Sequence, residues 1–419
     1  MKNDRLRMKP IYLTVLFLVA SNFNGFYLIP NYVGSIRYSD IHLIFVAMFW
    51  MYGLYINNFR INKRKDGTFF YILFPIVIIF VSAIMAQISY DQPLLMAIQA
   101  QRSWVGSLLL FFPVYTLLRK EIITRGKLFR YLAFGCLFVI MIGFIQAIIG
   151  SRFVFLNAII NIYSNRSVLA RVYISDIFPK FLFAYGVSML FQEKRKFKAM
   201  LYIIISLLFV FLVIQSRMSL GSMLVAGIFT VLFLDIKKSI KYPLVIISTI
   251  IICTIFFTSI GSVILESVFH FSEQYAGDFV RENARQFYMS SLDESNYYWL
   301  LGKGYPSLLW AQSVSGSGYD RGFYFVDNGF IAILFYYGIL GAVWFVLSYI
   351  KFIKHSINLN KKTGNMMFFV YYIMQVVGLY TLQPDCFDSN NNSTIFFVII
   401  TSVLLYEVKK IGYYRKGKD

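Results

Sequence analysis

The chain has 419 residues, of which 58% are hydrophobic and 19% aromatic against 14% charged, with a mean hydropathy of +0.64. This excludes a soluble globular domain, a disordered chain and a coiled coil. Forty Lys and Arg oppose twenty Asp and Glu, a net charge of +20. In a soluble protein that excess would point to nucleic acid. Here the basic residues sit in short stretches between apolar runs, so no nucleic-acid partner is expected, and residues 1–419 read as one all-α, polytopic integral membrane domain.

Met1 to Pro10 is basic and no small-residue cleavage site follows, so the first apolar run, Ile11–Pro30, is expected to be a retained span. The next runs predict spans at Ile41–Ile56, Thr68–Gln87, Trp104–Leu118, Tyr131–Gly150 and Tyr173–Phe191. Six more are predicted at Ala199–Gln215, Ser219–Leu234, Leu244–Leu265, Asn328–Ile350, Met366–Leu382 and Thr394–Val408, about twelve transmembrane helices in all. The three cysteines form no disulfide framework, because Cys136 and Cys253 fall in apolar runs and only Cys386 lies in a polar loop.

Of the Lys and Arg, 29 fall on the side of the amino terminus and 11 on the other. Loops that retain basic residues are cytoplasmic, so both termini are expected inside. The inner set holds 20 Lys and 9 Arg, whereas the outer set holds 9 Arg and 2 Lys. Arg grips phosphate oxygens with a planar fork and keeps its charge when half-buried, which points to phosphate on the outer face. The alternative is that Arg simply snorkels to the interface.

Most loops are short, but Glu266–Asp327 is a 62-residue outer segment between the ninth and tenth spans, with fifteen Phe, Tyr and Trp. That is too aromatic for disorder, so it should fold against the membrane. Within it, the stretch from Asp278 to Tyr288 reads as an amphipathic helix with Arg281 and Arg285 on one face. The pair suits a diphosphate clamp; the alternative is surface pairing of Asp278 with Arg281 and Glu282 with Arg285. A glycine-rich turn, Gly302-Lys303-Gly304, follows, and then Asp327-Asn328-Gly329 at the entrance to the tenth span. Asp327 suits a proton acceptor, while Asp327 or Asn328 could equally cap the helix. Tyr297, Tyr298, Trp299 and Trp310 are candidate sugar platforms or loop-packing residues.

Elsewhere, the hairpin Gln215-Ser216-Arg217-Met218-Ser219 places one Arg at headgroup level, where a lipid-linked phosphate or a snorkelled position would satisfy it. Arg171, Asp176 and Lys180 surround the start of the sixth span, the last two at ion-pair spacing, and Arg102 and Arg166 are further outer arginines. The histidines, His42, His270 and His355, are scattered, and no metal-ligand cluster, phosphate loop or dinucleotide fingerprint occurs, so no metal or cofactor is expected.

The order of these features resembles the O-antigen polymerase and O-antigen ligase superfamily. It runs from a Ser-Arg hairpin to an Arg seventeen residues before Gly-x-Gly, then a polar-Asn-Gly-aromatic entrance, then Gly338-Ile339-Leu340-Gly341. The resemblance implies a GT-C-like glycosyltransferase of the bacterial inner membrane. Its donor would be an undecaprenyl-diphosphate-linked oligosaccharide, used on the periplasmic face without a metal. It further implies membrane lipid, a chain-length regulator and a flippase as partners. Arg217 and Arg285 match the family's phosphate-binding arginines by local context, with Arg281 one register away. Asp327, Arg217 and Arg285 are the expected catalytic residues, and Arg281, Arg102, Arg171, Asn328 and Lys303 the expected substrate-binding ones. Ligases, which transfer the glycan to lipid A core, carry His before the entrance Asn; Asp327 stands there, which favours the polymerase branch. A flippase of lipid-linked oligosaccharides is the remaining alternative. A reporter fused after Lys303 that is active only outside the cytoplasm should be active; activity of a cytosolic reporter at that position would reverse the topology.

Overall fold

A chain this apolar has to close its backbone hydrogen bonds within itself, and helices do so locally. The computed structural model describes residues 4–34, 36–58, 68–156, 162–163, 169–192, 196–233, 246, 274–387 and 393–416, most of them helical. The predicted span Leu244–Leu265 lies outside the described residues except for Ile246, as do Arg166, Cys253 and His270.

In chain order the helices are α1 (Asp4–Asn22), α2 (Tyr38–Ile56), α3 (Thr68–Tyr90), α4 (Leu94–Ala100), α5 (Arg102–Leu109), α6 (Phe111–Arg119), α7 (Arg125–Ile149) and α8 (Ile177–Gln192). Then come α9 (Lys196–Phe209), α10 (Arg217–Phe233), α11 (Gln274–Leu292), α12 (Asn296–Leu301), α13 (Ala311–Gly316), α14 (Gly329–Thr363), α15 (Met367–Gly378) and α16 (Thr394–Lys416). Besides short 3-10 turns there are two antiparallel pairs of two-residue strands: Tyr32–Val33 with Ile36–Arg37, and Ile162–Tyr163 with Arg171–Val172. Among the described residues five helices are long and apolar enough to cross a membrane, or six if α4 and the α5–α6 stretch, bent by 55°, make one crossing. Shorter apolar helices occupy Ile11–Asn22, Ile177–Gln192, Arg217–Phe233 and Met367–Gly378.

Four predicted spans have different limits. The first stops at Asn22, because Asn24, Gly25, Phe26 and Tyr27 all take positive φ, 51° to 68°. A left-handed turn costs about 1–2 kcal/mol for each non-glycine residue. It is held by the Tyr27 hydroxyl, which accepts the Ser175 N–H at 3.0 Å, and by Phe23 against Phe178 at 4.5 Å. The fourth span, Trp104–Leu118, is broken at Leu110, since Pro113 supplies no N–H to the Leu109 carbonyl and its ring crowds that carbonyl. The tenth helix runs on past Ile350 to Thr363, where Gly364 at φ 68° ends it. The eleventh ends at Gly378, so residues 379–387 form a crossing strap with one 3-10 turn, Asp385–Phe387.

Two helices organise the bundle. Buried α8 packs against α7, α9, α10 and α15, and α14 packs against α3, α11, α12, α15 and α16. Gly338 interrupts α14 with φ 62° and ψ −167°, which frees the Phe335 carbonyl from its helical partner. The Lys303 N–H fills that vacancy at 2.7 Å. The glycine-rich turn is thus a wedge between α3 and α14: a Cβ on Gly302 would strike Tyr336, Tyr337 and Gly338 backbone, and one on Gly304 would strike Ser82 and Ala86 backbone. The Ser82 hydroxyl accepts the Tyr305 N–H at 2.9 Å on the same seam. Gly304→Ala and Gly338→Ala should each lower stability to unfolding in detergent, by about 1–3 kcal/mol from backbone strain alone before any collision is counted. Gly126→Ala, which meets open space, should not lower it.

Candidate functional site

The Arg217 hairpin is built by hydrogen bonds that a short polar run makes with itself. Helix α9 ends in one wide π-type turn, Val210–Ile214, and Gln215 reverses the chain at φ 55°. The Gln215 amide donates to the Leu169 and Leu212 carbonyls, both at 3.1 Å. The Ser216 hydroxyl caps α10 by accepting the Ser219 N–H at 3.3 Å. Ser219 in turn donates to Asp176 Oδ2 at 2.5 Å, and the same oxygen takes the buried Lys180 ammonium at 2.6 Å. Arg217 therefore stands at the first turn of α10, where helical N–H groups favour an anion. Beside it, Arg171 donates through Nε to the Ile214 carbonyl at 3.1 Å, and its guanidinium lies 4.5 Å from the centre of the Tyr173 ring.

Helix α11 forms as its amphipathic pattern predicts and carries Arg281 and Arg285 to the entrance of α14. The Arg281 guanidinium is 3.7 Å from Asp327 Oδ1. Arg285 donates to the Tyr380 hydroxyl at 3.2 Å and the Tyr380 carbonyl at 3.3 Å, with that ring centre 4.5 Å away. Glu282 also pairs with Arg285 at 3.7 Å, so the surface-pairing alternative accounts for part of its setting. Asp327 is half-exposed, and loss of water around it pushes its carboxyl above the usual carboxylate range, although Arg281 and Arg171 pull it back down.

Capping does not explain the Asp-Asn pair. Asn328 precedes α14 without a side-chain cap bond, and its amide donates instead to the Tyr324 carbonyl at 2.8 Å. Asn328 Oδ1, Arg285 Nε, Thr381 Oγ1 and Gln383 Oε1 are buried without a hydrogen-bond partner among the described residues. Orphaned buried polar atoms of this kind mark a place for water or a polar ligand.

Other expected site residues lie elsewhere. Arg102 is taken by Asp40 at 2.5 Å and by the Gln99 carbonyl at 3.0 Å, which ties α5 to α2. The Lys303 side chain is buried against Glu294 at 2.6 Å and Tyr298 at 4.8 Å, and its contribution is the main-chain plug in α14. Trp310 and Trp299 use their indole N–H groups on the Tyr90 carbonyl and Asp293, as loop-packing residues do. Cys386 is buried and accepts from the Tyr349 hydroxyl rather than facing a polar loop. Tyr380, which holds Arg285, carries no local signal in the sequence, and Asp176 reads there only as a partner for Lys180.

The chain matches no family model, and comparison with curated proteins gives no match either. The two arginine pairs can therefore be judged on their chemistry alone: Arg171 beside the Arg217 hairpin, and Arg281 and Arg285 on α11 with one carboxylate and several buried donors and acceptors that have no partner among the described residues. Asp176→Asn removes the counter-ion of a buried ammonium and should cost about 3–5 kcal/mol of stability. The double variant Asp176→Asn with Lys180→Met should recover most of the loss when unfolding is followed in detergent.

Proposed function

We propose that the protein is a surface-polysaccharide polymerase of the O-antigen type, a multi-pass, GT-C-like glycosyltransferase of a bacterial inner membrane. In this proposal about twelve spans place both termini in the cytoplasm and the arginine site in the periplasm. The donor is an undecaprenyl-diphosphate-linked oligosaccharide, and the acceptor is a second lipid-linked repeat unit. The observation that supports the reading best is Arg281 facing Asp327 at 3.7 Å from helix α11, with Arg285 on the same helix held by Tyr380 of the adjacent strap.

The chemistry follows from where charge develops. The acceptor hydroxyl oxygen bonds to the anomeric carbon as the bond from that carbon to diphosphate breaks, and the electron pair departs with the diphosphate. Arg217 and Arg285, with Arg171 and Arg281 beside them, stabilise that anion as the bond lengthens. Preorganised donors of this kind are typically worth about 2–4 kcal/mol each, roughly 30-fold to 1,000-fold in rate. Asp327 takes the proton from the acceptor hydroxyl. Direct displacement inverts the anomeric configuration through a transition state of oxocarbenium character.

Arg217→Ala and Arg285→Ala should each abolish long-chain product while the protein inserts at normal levels, and Arg→Lys should retain only a fraction, since Lys lacks the planar fork. Because Asp327 acts in its ionised form, transfer should rise with pH through a midpoint above the ordinary carboxylate value of about 4. Asp327→Asn should lose that limb of the profile. The assay is glycan lengthening by purified protein on a lipid-linked repeat unit; full-length polymer from both Arg→Ala variants would remove the proposal.

A further inference from the structure

The strap 379–387 touches the arginine site at three places. The Leu379 carbonyl accepts the Phe330 N–H at 3.0 Å, the Gln383 N–H donates to the Val326 carbonyl at 3.2 Å, and Tyr380 receives Arg285 through both its hydroxyl and its carbonyl. A Cβ on Gly329 would collide with the Leu379 carbonyl, so entrance and strap run backbone against backbone. Tyr380 itself is 69% exposed. Burial of its own ring does not hold it in place; the strap's backbone does, and that backbone is in turn anchored further along.

Asp385 supplies that fixing point. It is 3% exposed, and its Oδ2 accepts the Tyr371 hydroxyl at 2.6 Å and the Gln375 amide at 2.7 Å. Its N–H donates to Gln375 Oε1 at 2.9 Å, and its carbonyl accepts the Thr394 hydroxyl at 2.8 Å. One residue thus uses carboxylate, N–H and carbonyl together to tie the strap to α15 and α16. The Gln383 side-chain amide closes the strap on itself by donating to the Phe387 carbonyl. Phe387 is wedged among Trp104, Tyr337 and Trp344 at 5.1–5.5 Å between ring centres.

We propose that Asp385 is a positioning residue of the arginine site: through the strap it sets where Tyr380 holds the Arg285 guanidinium, one helical turn from the Arg281 that faces Asp327. Its consequence for diphosphate binding rests on the function proposed above, whereas the strap itself does not. Asp385→Asn keeps the shape, and its amide oxygen can still meet both donors, but the bonds from Tyr371 and Gln375 lose their ionised acceptor. Hydrogen bonds to charged groups contribute about 1.5–3 kcal/mol, so loss of one corresponds to roughly tenfold or more in an equilibrium constant.

The test uses the full-length protein in detergent, with amide hydrogen exchange for the strap and farnesyl diphosphate as the binding probe. In Asp385→Asn, exchange across 379–387 and 326–330 should quicken about tenfold while α7 is unchanged, and the probe Kd should rise about tenfold. Combined with Arg285→Ala, Asp385→Asn should weaken binding no further than Arg285→Ala alone. Tyr371→Phe removes one donor at constant ring volume and should show the same pattern at smaller amplitude, which keeps the test decisive should the Asn variant not fold. Unchanged exchange in the variants, or losses that multiply in the double variant, would overturn the assignment. If Arg285→Ala leaves the probe Kd unaltered while Asp385→Asn loosens the strap, the diphosphate reading falls and the strap assignment stands.

Discussion

Inside an apolar bundle each backbone N–H and C=O has to find a partner within the protein, because none is offered from outside. The break in α14 at Gly338 would leave the Phe335 carbonyl without one, and the Lys303 N–H supplies it. That single bond accounts for much of the architecture around it. It requires the 302–304 turn to enter between α3 and α14, glycines at both flanks of the turn, and a chain path that delivers α11 on one side and the α14 entrance on the other. The two glycine motifs, 36 residues apart from Gly302 to Gly338, are therefore two halves of one contact.

The charged groups follow the same logic at higher stakes. Buried Lys180 has Asp176, and Lys303 has Glu294, each at 2.6 Å. Two arginines on α11 are looser: Arg281 faces Asp327 at 3.7 Å, and Arg285 has Glu282 at 3.7 Å and neutral oxygens of Tyr380, with Nε unused. Cations held by partners of modest strength can exchange them for a stronger anion at little cost, whereas a tight ion pair resists exchange. This contrast separates the groups that hold the fold from those whose partners an anion could displace.

Local patterns were legible in the sequence and distant contacts were not. The α11 amphipathic face, the Gln215–Ser219 hairpin and the Asp176–Lys180 spacing are each written within one or two helical turns. The break before Pro113 was also within reach, since proline removes a donor wherever it stands. Tyr380 and Arg285 are 95 positions apart, and nothing near either announces the other. Lys303 misleads for a different reason: a charged side chain between two glycines attracts notice, yet the main chain performs the task and the ammonium is tied up locally.

The placement of Asp176 and Lys180 within one helical turn has a consequence for biogenesis. An ammonium on an apolar segment opposes its transfer from the insertion machinery into lipid. Because its counter-ion sits four residues earlier, the two charges meet as soon as that turn of helix forms, before α9 or α10 has been synthesised. The segment can therefore leave for the bilayer as an electrically neutral rod, and Ser219 joins the carboxylate only later, when α10 docks.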